Sequence, residues 1–373
     1  MTNYNKNKWT ASTPEGRWGL LGPYYAMFPI SFVRQSLERF CRPRGGVIDP
    51  FCGRGTVPFV AKVSGRPAFG VDINPVAWVF GATKIDPEPN FKKVVARLEE
   101  IATAATLSDQ EPENEFQKWA WSPKVLAFLQ AARRGLDWKS NRIDRTLVAI
   151  LLVYLHGKTG AALSNQMRQS KSMSPEYSVK WWKQKGMLPP DIKFVDFLRE
   201  RILWRYKKGI IRSNAKVDIV LGDAKNALSE LTRTKYEMLL TSPPYCGVTN
   251  YRYDNWIRLW VLGDVPLPDW KTAQRYSNKE HYTNMLLDVF SSARDKLSIN
   301  ATVLVRTDSR EFTKKTTQEV LKNLWPDHYM YVRSDVPKKS QTSLFGDFSS
   351  KPGETDYLLM SKQMKISYEF DIC

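Results

Sequence analysis

Ser242-Pro243-Pro244-Tyr245 follows directly on "YEMLLT", an apolar run that reads as a buried strand. Neither proline has an N–H to give a ladder, so the strand must end there in a stiff, extended corner. An aromatic ring held just past such a corner is placed to meet something flat. Three acids hold another kind of position. Asp49 in "GVIDP", Asp72 in "RPAFGVDIN" and Asp223 in "KVDIVLGDA" each close an apolar segment. Gly53 and Gly55 follow Asp49 in the turn "FCGRGT", where glycine lets the backbone approach a ligand closely. Ligands of doubly wound sheets bind at the carboxyl ends of the strands. Asp72 there is placed to accept hydrogen bonds from both hydroxyls of a ribose.

A nicotinamide cofactor is the competing ligand. Its fingerprint is G-x-G-x-x-G/A, whereas "GRGTVP" puts Pro58 in the third place. That position must pack closely over a pyrophosphate, and three strand-end acids would repel phosphates. They suit a cationic cofactor carrying a ribose and a free amine, namely S-adenosylmethionine. For "CGRG" alone, a tight strand-to-helix turn is an equally good explanation.

Positioning these residues requires strands alternating with helices. Residues 46–84 read as strand, glycine turn, helix, strand, helix, with Pro75 opening the second helix. That spacing implies a parallel, doubly wound α/β sheet. The alternation stops over 86–215, which holds long helical segments such as "FKKVVARLEEIATAAT" and "DRTLVAILLVYLHGKTG". It resumes at "KVDIVLGDA", and 301–308, 328–335 and 355–362 complete a sheet of about seven strands. The expected organisation is one α/β domain, 1–85 and 216–373, interrupted by a mainly helical insertion at 86–215. Residues 341–353 read as a mobile loop.

The charge is unevenly spread. The 373-residue chain carries a net +18, and residues 131–215 hold 18 Lys and Arg against 6 Asp and Glu. Two thirds of the surplus thus sits in under a quarter of the chain, which points to a polyanionic partner. No apolar run is long enough for a transmembrane helix, and "MTNYNKNKWTAS" lacks an apolar signal core. Cys41, Cys52, Cys246 and Cys373 form no CxxC pair and no metal-ligand spacing with His156, His281 or His328. A reduced cytoplasmic setting without a metal is expected.

"DPFCGRGT" and "TSPPY" together resemble motifs I and IV of the amino-methylating DNA methyltransferases. "GPYYAMFPISFVRQSL" resembles their motif X, "GVDIN" motif II and "LGDA" motif III. The resemblance covers the α/β portion and implies a methyltransferase sheet binding S-adenosylmethionine. It implies that Asp49, Phe51, Gly53 and Gly55 line the methionine and ribose side of the cofactor, with Pro29 contributing from motif X. It further implies that Asp72 holds the ribose, Ile73 lies against the adenine, and Asp223 meets the adenine amine. The insertion falls between the second helix and the third strand, a departure that bears on its role as a target-recognition region.

An exocyclic base amine is a poor nucleophile because its lone pair is delocalised into the ring. In the family's mechanism the Ser242 hydroxyl and the Pro243 carbonyl accept its hydrogens, and Pro244 stiffens the corner. Tyr245 would stack on a base that has left the duplex. The alternative for this stretch is a rigid loop with a packed tyrosine. Cys246 is not read as a nucleophile, because carbon-methylating enzymes carry a Pro-Cys pair and this chain has none. In "TNYRYDNWIRLWVLG" an amphipathic helix would bury Trp256, Leu259 and Trp260, while Tyr251 and Arg252 line the base pocket. In the insertion, Arg168, Lys171, Lys180, Lys183 and Lys185 would contact phosphates, unless they form a solvated face with Trp181 and Trp182 in the core.

The sequence is therefore read as a site-specific DNA methyltransferase acting on N4 of cytosine, since Ser opens its motif IV. N6 of adenine is the alternative. An RNA amino-methylase and a catalytically silent DNA-binding scaffold are further readings. A cognate restriction enzyme in a bacterial or phage-infected cell is the partner that the resemblance implies.

Overall fold

The computed structural model describes residues 9–23, 28–232, 235–247, 250–265, 267, 278–335 and 353–362. The loop expected at 341–353 falls outside them except for Gly353, as does Cys373. Within the motif X match, so do Tyr24, Tyr25, Ala26 and Met27.

The chain begins with α1 (Pro14–Gly19), α2 (Ile30–Phe40), β1 (Val47–Asp49), α3 (Thr56–Val63), β2 (Ala68–Asp72) and α4 (Pro75–Ile85). As expected, Pro75 opens α4, and the Asn74 side chain caps it by accepting from the Val76 amide. Six helices then follow: α5 (Phe91–Thr103), α6 (Glu115–Ala120), α7 (Pro123–Gly135), α8 (Arg142–Tyr154), α9 (Pro175–Gln184) and α10 (Phe194–Tyr206). The remainder is β3 (Val217–Leu221), α11 (Ala224–Glu230), β4 (Tyr236–Thr241), α12 (Tyr251–Asp254), α13 (Trp256–Val261), α14 (Lys279–Arg294), β5 (Leu297–Asp308), α15 (Glu311–Leu324), β6 (His328–Asp335) and β7 (Glu354–Ser361).

The strands form one sheet in the order β3-β2-β1-β4-β5-β7-β6. The first five run parallel, and β7 is antiparallel to both β5 and β6. The structure thus has the α/β sheet of seven strands expected, with two differences. β5 starts at Leu297 rather than 301, and the last strand inserts antiparallel between its predecessors. Strand order reverses at β1, which pairs with β2 on one side and β4 on the other. A crevice opens at such a switch point, beyond the carboxyl ends of the strands.

Two packing layers hold the sheet. Ile48, Val71, Leu239, Val303 and Leu359 point to one side with Leu286 and Phe290 of α14. Val47, Ala68, Met238 and Leu304 point to the other with Val33, Leu37, Val57 and Val60 of α2 and α3. The helices of 91–206 share one apolar core that runs on into Val76, Val79 and Phe80 of α4 and Trp256, Ile257, Leu259, Trp260 and Val261 of α13. Within α8 the run Leu147–Val153 is wholly buried. Each Leu, Ile or Val there contributes about 1.5–3 kcal/mol on burial, which anchors the helical segment to the sheet. Among the described residues no helix is long and apolar enough to cross a membrane.

Candidate active site

β1, β2, β3 and β4 all end at one cavity. Asp49, Phe51, Gly53, Asp72, Ile73 and Asp223 line it, and so do Ser242, Pro244, Tyr245 and Tyr251. Phe28 and Arg54 also contribute, and Met285 and Val289 close it from one face of α14.

Asp49 ends β1 and is 2% exposed. Its Oδ1 accepts the Thr241 hydroxyl at 2.6 Å and the Phe51 amide at 3.2 Å. Burial pushes its carboxyl up to about 7, against those two bonds. Asp72 accepts the Gly53 amide on Oδ2 and the Asn74 amide on Oδ1, each at 2.8 Å. Burial raises it to about 6, again against its hydrogen bonds. These acids are therefore partly protonated near neutral pH in the free protein, and the cavity is less negative than the sequence alone suggests. Asp223 is exposed, and its side chain caps α11 by accepting from the Asn226 amide at 3.2 Å. Ile73 is 61% exposed at the cavity wall, an apolar side chain with a free face.

The two glycines differ in what they do. Gly53 lines the cavity with a φ of +52°. Gly55 does not line it. Its φ is +74°, and a Cβ there would stand 2.8 Å from the Gly81 Cα. Its place is set by left-handed backbone and by the close approach of α3 to α4. Pro29 likewise sits at the N-cap of α2, off the cavity, while its neighbour Phe28 reaches it.

Beyond β4 the diproline corner follows with Ser242, Pro244 and Tyr245 on the cavity and Pro243 buried. Burial pushes the Tyr245 phenol well up, with Glu354 adding to the shift and Ser242 opposing it. Burial also raises the Cys246 thiol, which disfavours a thiolate.

Three of the basic residues pair with acids. Lys171 pairs with the buried Asp254 at 2.9 Å, Lys183 with Glu115 at 2.6 Å, and Arg252 with Asp264 at 2.6 Å. These three are held by acids of this chain, and Arg252 is absent from the cavity that its neighbour Tyr251 lines. Arg168, Lys180 and Lys185 are exposed. Trp182 is fully buried, donating Nε1–H to the Gln166 carbonyl at 2.8 Å, and Trp256, Leu259 and Trp260 are core as expected. Trp181 is half-buried.

Sequence reasoning missed Thr241, Arg54, Phe28, Met285 and Val289. The i, i+4 spacing of Met285 and Val289 marks one face of α14, but nothing in it says which cavity that face meets.

No protein-family model matches the chain. It is similar to the Type II methyltransferase M.BsoBI of Geobacillus stearothermophilus, at 24% identity over 271 residues, covering 64% of this chain and 52% of that protein. The chain thus spans about half the length of the curated relative it matches. Among solved structures, rRNA methyltransferase aviRa from Streptomyces viridochromogenes aligns over 95% of this chain and 94% of its own, at 13% identity and a TM-score of 0.34. TrmN from Thermus thermophilus aligns over 93% of this chain and 52% of its own, at 10% identity and a TM-score of 0.35. Both are distant likenesses.

Proposed function

We propose that this chain transfers a methyl group from S-adenosylmethionine to the exocyclic amine of a base in DNA, at N4 of cytosine. One observation carries the proposal. Ser242, Pro244 and Tyr245 line the same cavity as the strand-end acids Asp49, Asp72 and Asp223, so a base-holding corner and a cofactor-type crevice open onto one space. The similarity to a Type II methyltransferase supports the transfer reaction.

The donor set fits the cofactor. Asp72 keeps acceptor capacity for ribose hydroxyls beside its two amide bonds. The free face of Ile73 suits an adenine ring, and Asp223 suits its amine. Bound there, the cofactor supplies an electrophilic methyl on its sulfonium. The Ser242 hydroxyl and the Pro243 carbonyl accept the hydrogens of the target amine, favour a pyramidal nitrogen and aim its lone pair. Tyr245 stacks on the base, which costs a few kcal/mol to take out of the duplex. Serine at the first position of this corner supports cytosine, because the family it resembles pairs serine there with cytosine and Asp or Asn with adenine.

The basic surplus of 131–215 supports nucleic acid as substrate, with the helical segment 86–215 as the target-recognition region. Arg168, Lys180, Lys183 and Lys185 are the exposed candidates for phosphates. Incubation with methyl-labelled cofactor and either unmethylated duplex DNA or total RNA tests the proposal. Label in DNA is expected; label confined to RNA, or in neither, contradicts it.

A further inference from the structure

α9 has one anchored side and one free side. Pro175, Ser178 and Trp182 are buried, and the bond from Trp182 to the Gln166 carbonyl pins the helix to the segment before it. The chain entering α9 is tied to the rim of the cavity. Ser172 donates its amide to the Asp254 carbonyl at 2.8 Å, and Trp256 donates Nε1–H to the Met173 carbonyl at 3.0 Å. Asp254 ends α12, whose first residue, Tyr251, lines the cavity. Glu176, Tyr177, Lys180, Lys183 and Gln184 stand on the solvent side, with Tyr177 60% exposed. Tyr177 and Gln184 share one stripe, two turns and about 10 Å apart, the span of about three base-pair steps. Neither the Tyr177 phenol nor the Gln184 amide is engaged by another described residue. A surface that meets only phosphates needs only cations. This one sets a carboxylate, a phenol and an amide among Lys180, Lys183 and Lys185. A carboxylate repels phosphate, whereas in the major groove glutamate accepts from the cytosine amine and glutamine pairs bidentately with adenine. The major groove of B-form DNA admits an α-helix, and that of A-form RNA does not.

We infer that α9 enters the major groove of duplex DNA beside the extruded base, with Glu176, Tyr177 and Gln184 toward base edges and the neighbouring lysines toward phosphates. The inference rests on the DNA reaction proposed above and names the residues that choose its site. Anchoring by Trp182 holds the reading face rigid, and the tie to α12 fixes its distance from the space that receives the base. The two kinds of contact leave different signatures. Loss of a lysine weakens every sequence alike, whereas loss of a base contact weakens only the preferred sequence and relaxes one position of it.

Methylation of unmodified genomic DNA in vitro, with the modified positions read by single-molecule sequencing, tests this on the wild type, Gln184→Ala, Tyr177→Ala and Lys185→Ala. Thermal denaturation verifies folding. The wild type is expected to modify one defined sequence. Gln184→Ala and Tyr177→Ala should each relax one position of it. On the wild-type sequence, Gln184→Ala should lower the single-turnover rate at subsaturating enzyme by about fivefold to 150-fold, the range for one bidentate base contact. Lys185→Ala should keep the sequence and lose rate on all DNA alike. Gln184→Glu, of the same shape, should move the preference at its position from adenine toward cytosine, and it decides if Gln184→Ala does not fold. An unchanged sequence in both Gln184 variants overturns the inference and leaves α9 a phosphate-facing or solvated surface. So does a wild type that methylates DNA without sequence preference, which leaves the proposed reaction standing. A wild type that methylates no DNA removes the proposed reaction, and the inference with it.

Discussion

Thr241, the last residue of β4, donates its hydroxyl to Asp49, the last residue of β1, across 2.6 Å. The bond ties the residue before the diproline corner to the residue before the glycine turn. It is also one of two bonds opposing the burial that lifts the Asp49 carboxyl. Thr241→Val removes the hydroxyl at almost constant volume. It should destabilise the chain by about 1–3 kcal/mol, read from urea denaturation, because a buried carboxyl loses a partner. An unchanged midpoint and slope would mean that the bond does not hold the two strand ends together.

Asp49 and Asp72 give the molecule a pH signature. Burial raises them to about 7 and about 6, against roughly 3.9 in an unfolded chain. The native state therefore holds protons that the unfolded chain has released. Their contribution to stability is fully present below about pH 4 and is lost as pH rises through about 6 to 7. Ligand binding should run the other way. Ribose hydroxyls and a cationic amine favour the ionised acids, so affinity for S-adenosylhomocysteine should rise from pH 5 to pH 8. Asp72→Ala should flatten part of that rise and cost roughly 1.5–3 kcal/mol of affinity at pH 8. Calorimetry across the range decides, and a pH-independent affinity would contradict the assignment.

Ser242 and Tyr245 should separate in kinetics. Ser242→Ala should lower turnover far more than cofactor affinity, because its contact strengthens as the target amine reorganises. Tyr245→Ala should weaken DNA binding as well, by about 1–3 kcal/mol if its ring stacks on the displaced base. Single-turnover rates and DNA titrations on both variants separate these effects. Equal losses in cofactor binding would instead make the corner a structural element.

Neutralising Lys180, Lys183 and Lys185 together should weaken DNA binding and flatten its salt dependence by up to about 0.9 in log–log slope per lost phosphate contact. Lys180, Lys183 and Lys185 should share in that change. Lys183 already pairs with Glu115 and lies over the Trp119 ring at 5.5 Å. That exposed pair is worth little, so exchange for a phosphate is cheap. Lys171 differs, because removing it takes an ion-pair partner from the buried Asp254. Salt titration of single variants reads the difference, and an unchanged slope in the triple variant would leave a solvated face.

The strands and the residues at their ends were legible because two local signals coincide there. Apolar runs mark β1 to β4, and a polar residue or a proline closes each. The order of the last three strands was not legible, because β6 and β7 are adjacent in sequence whichever of them pairs with β5. Gly55 illustrates a subtler limit. Its type reports a positive φ and a close approach, but only the fold reveals that the approaching group is Gly81. Charged residues were the hardest to place. Arg54, Lys84 and Arg205 look like surface residues in sequence, and only tertiary packing buries them. The pairing of Lys171 with Asp254 and of Arg252 with Asp264 depends on segments far apart or on loop geometry that periodicity does not encode.

The most direct measurement is mass spectrometry of nucleosides from duplex DNA incubated with the wild-type chain and S-adenosylmethionine, beside the same DNA incubated with Ser242→Ala. The account predicts N4-methylcytosine in the first digest and little in the second. N6-methyladenine as the sole product would overturn the cytosine assignment and leave the shared cavity's chemistry standing. No methylated nucleoside, from a chain that binds the cofactor, would contradict the proposal that this cavity methylates DNA.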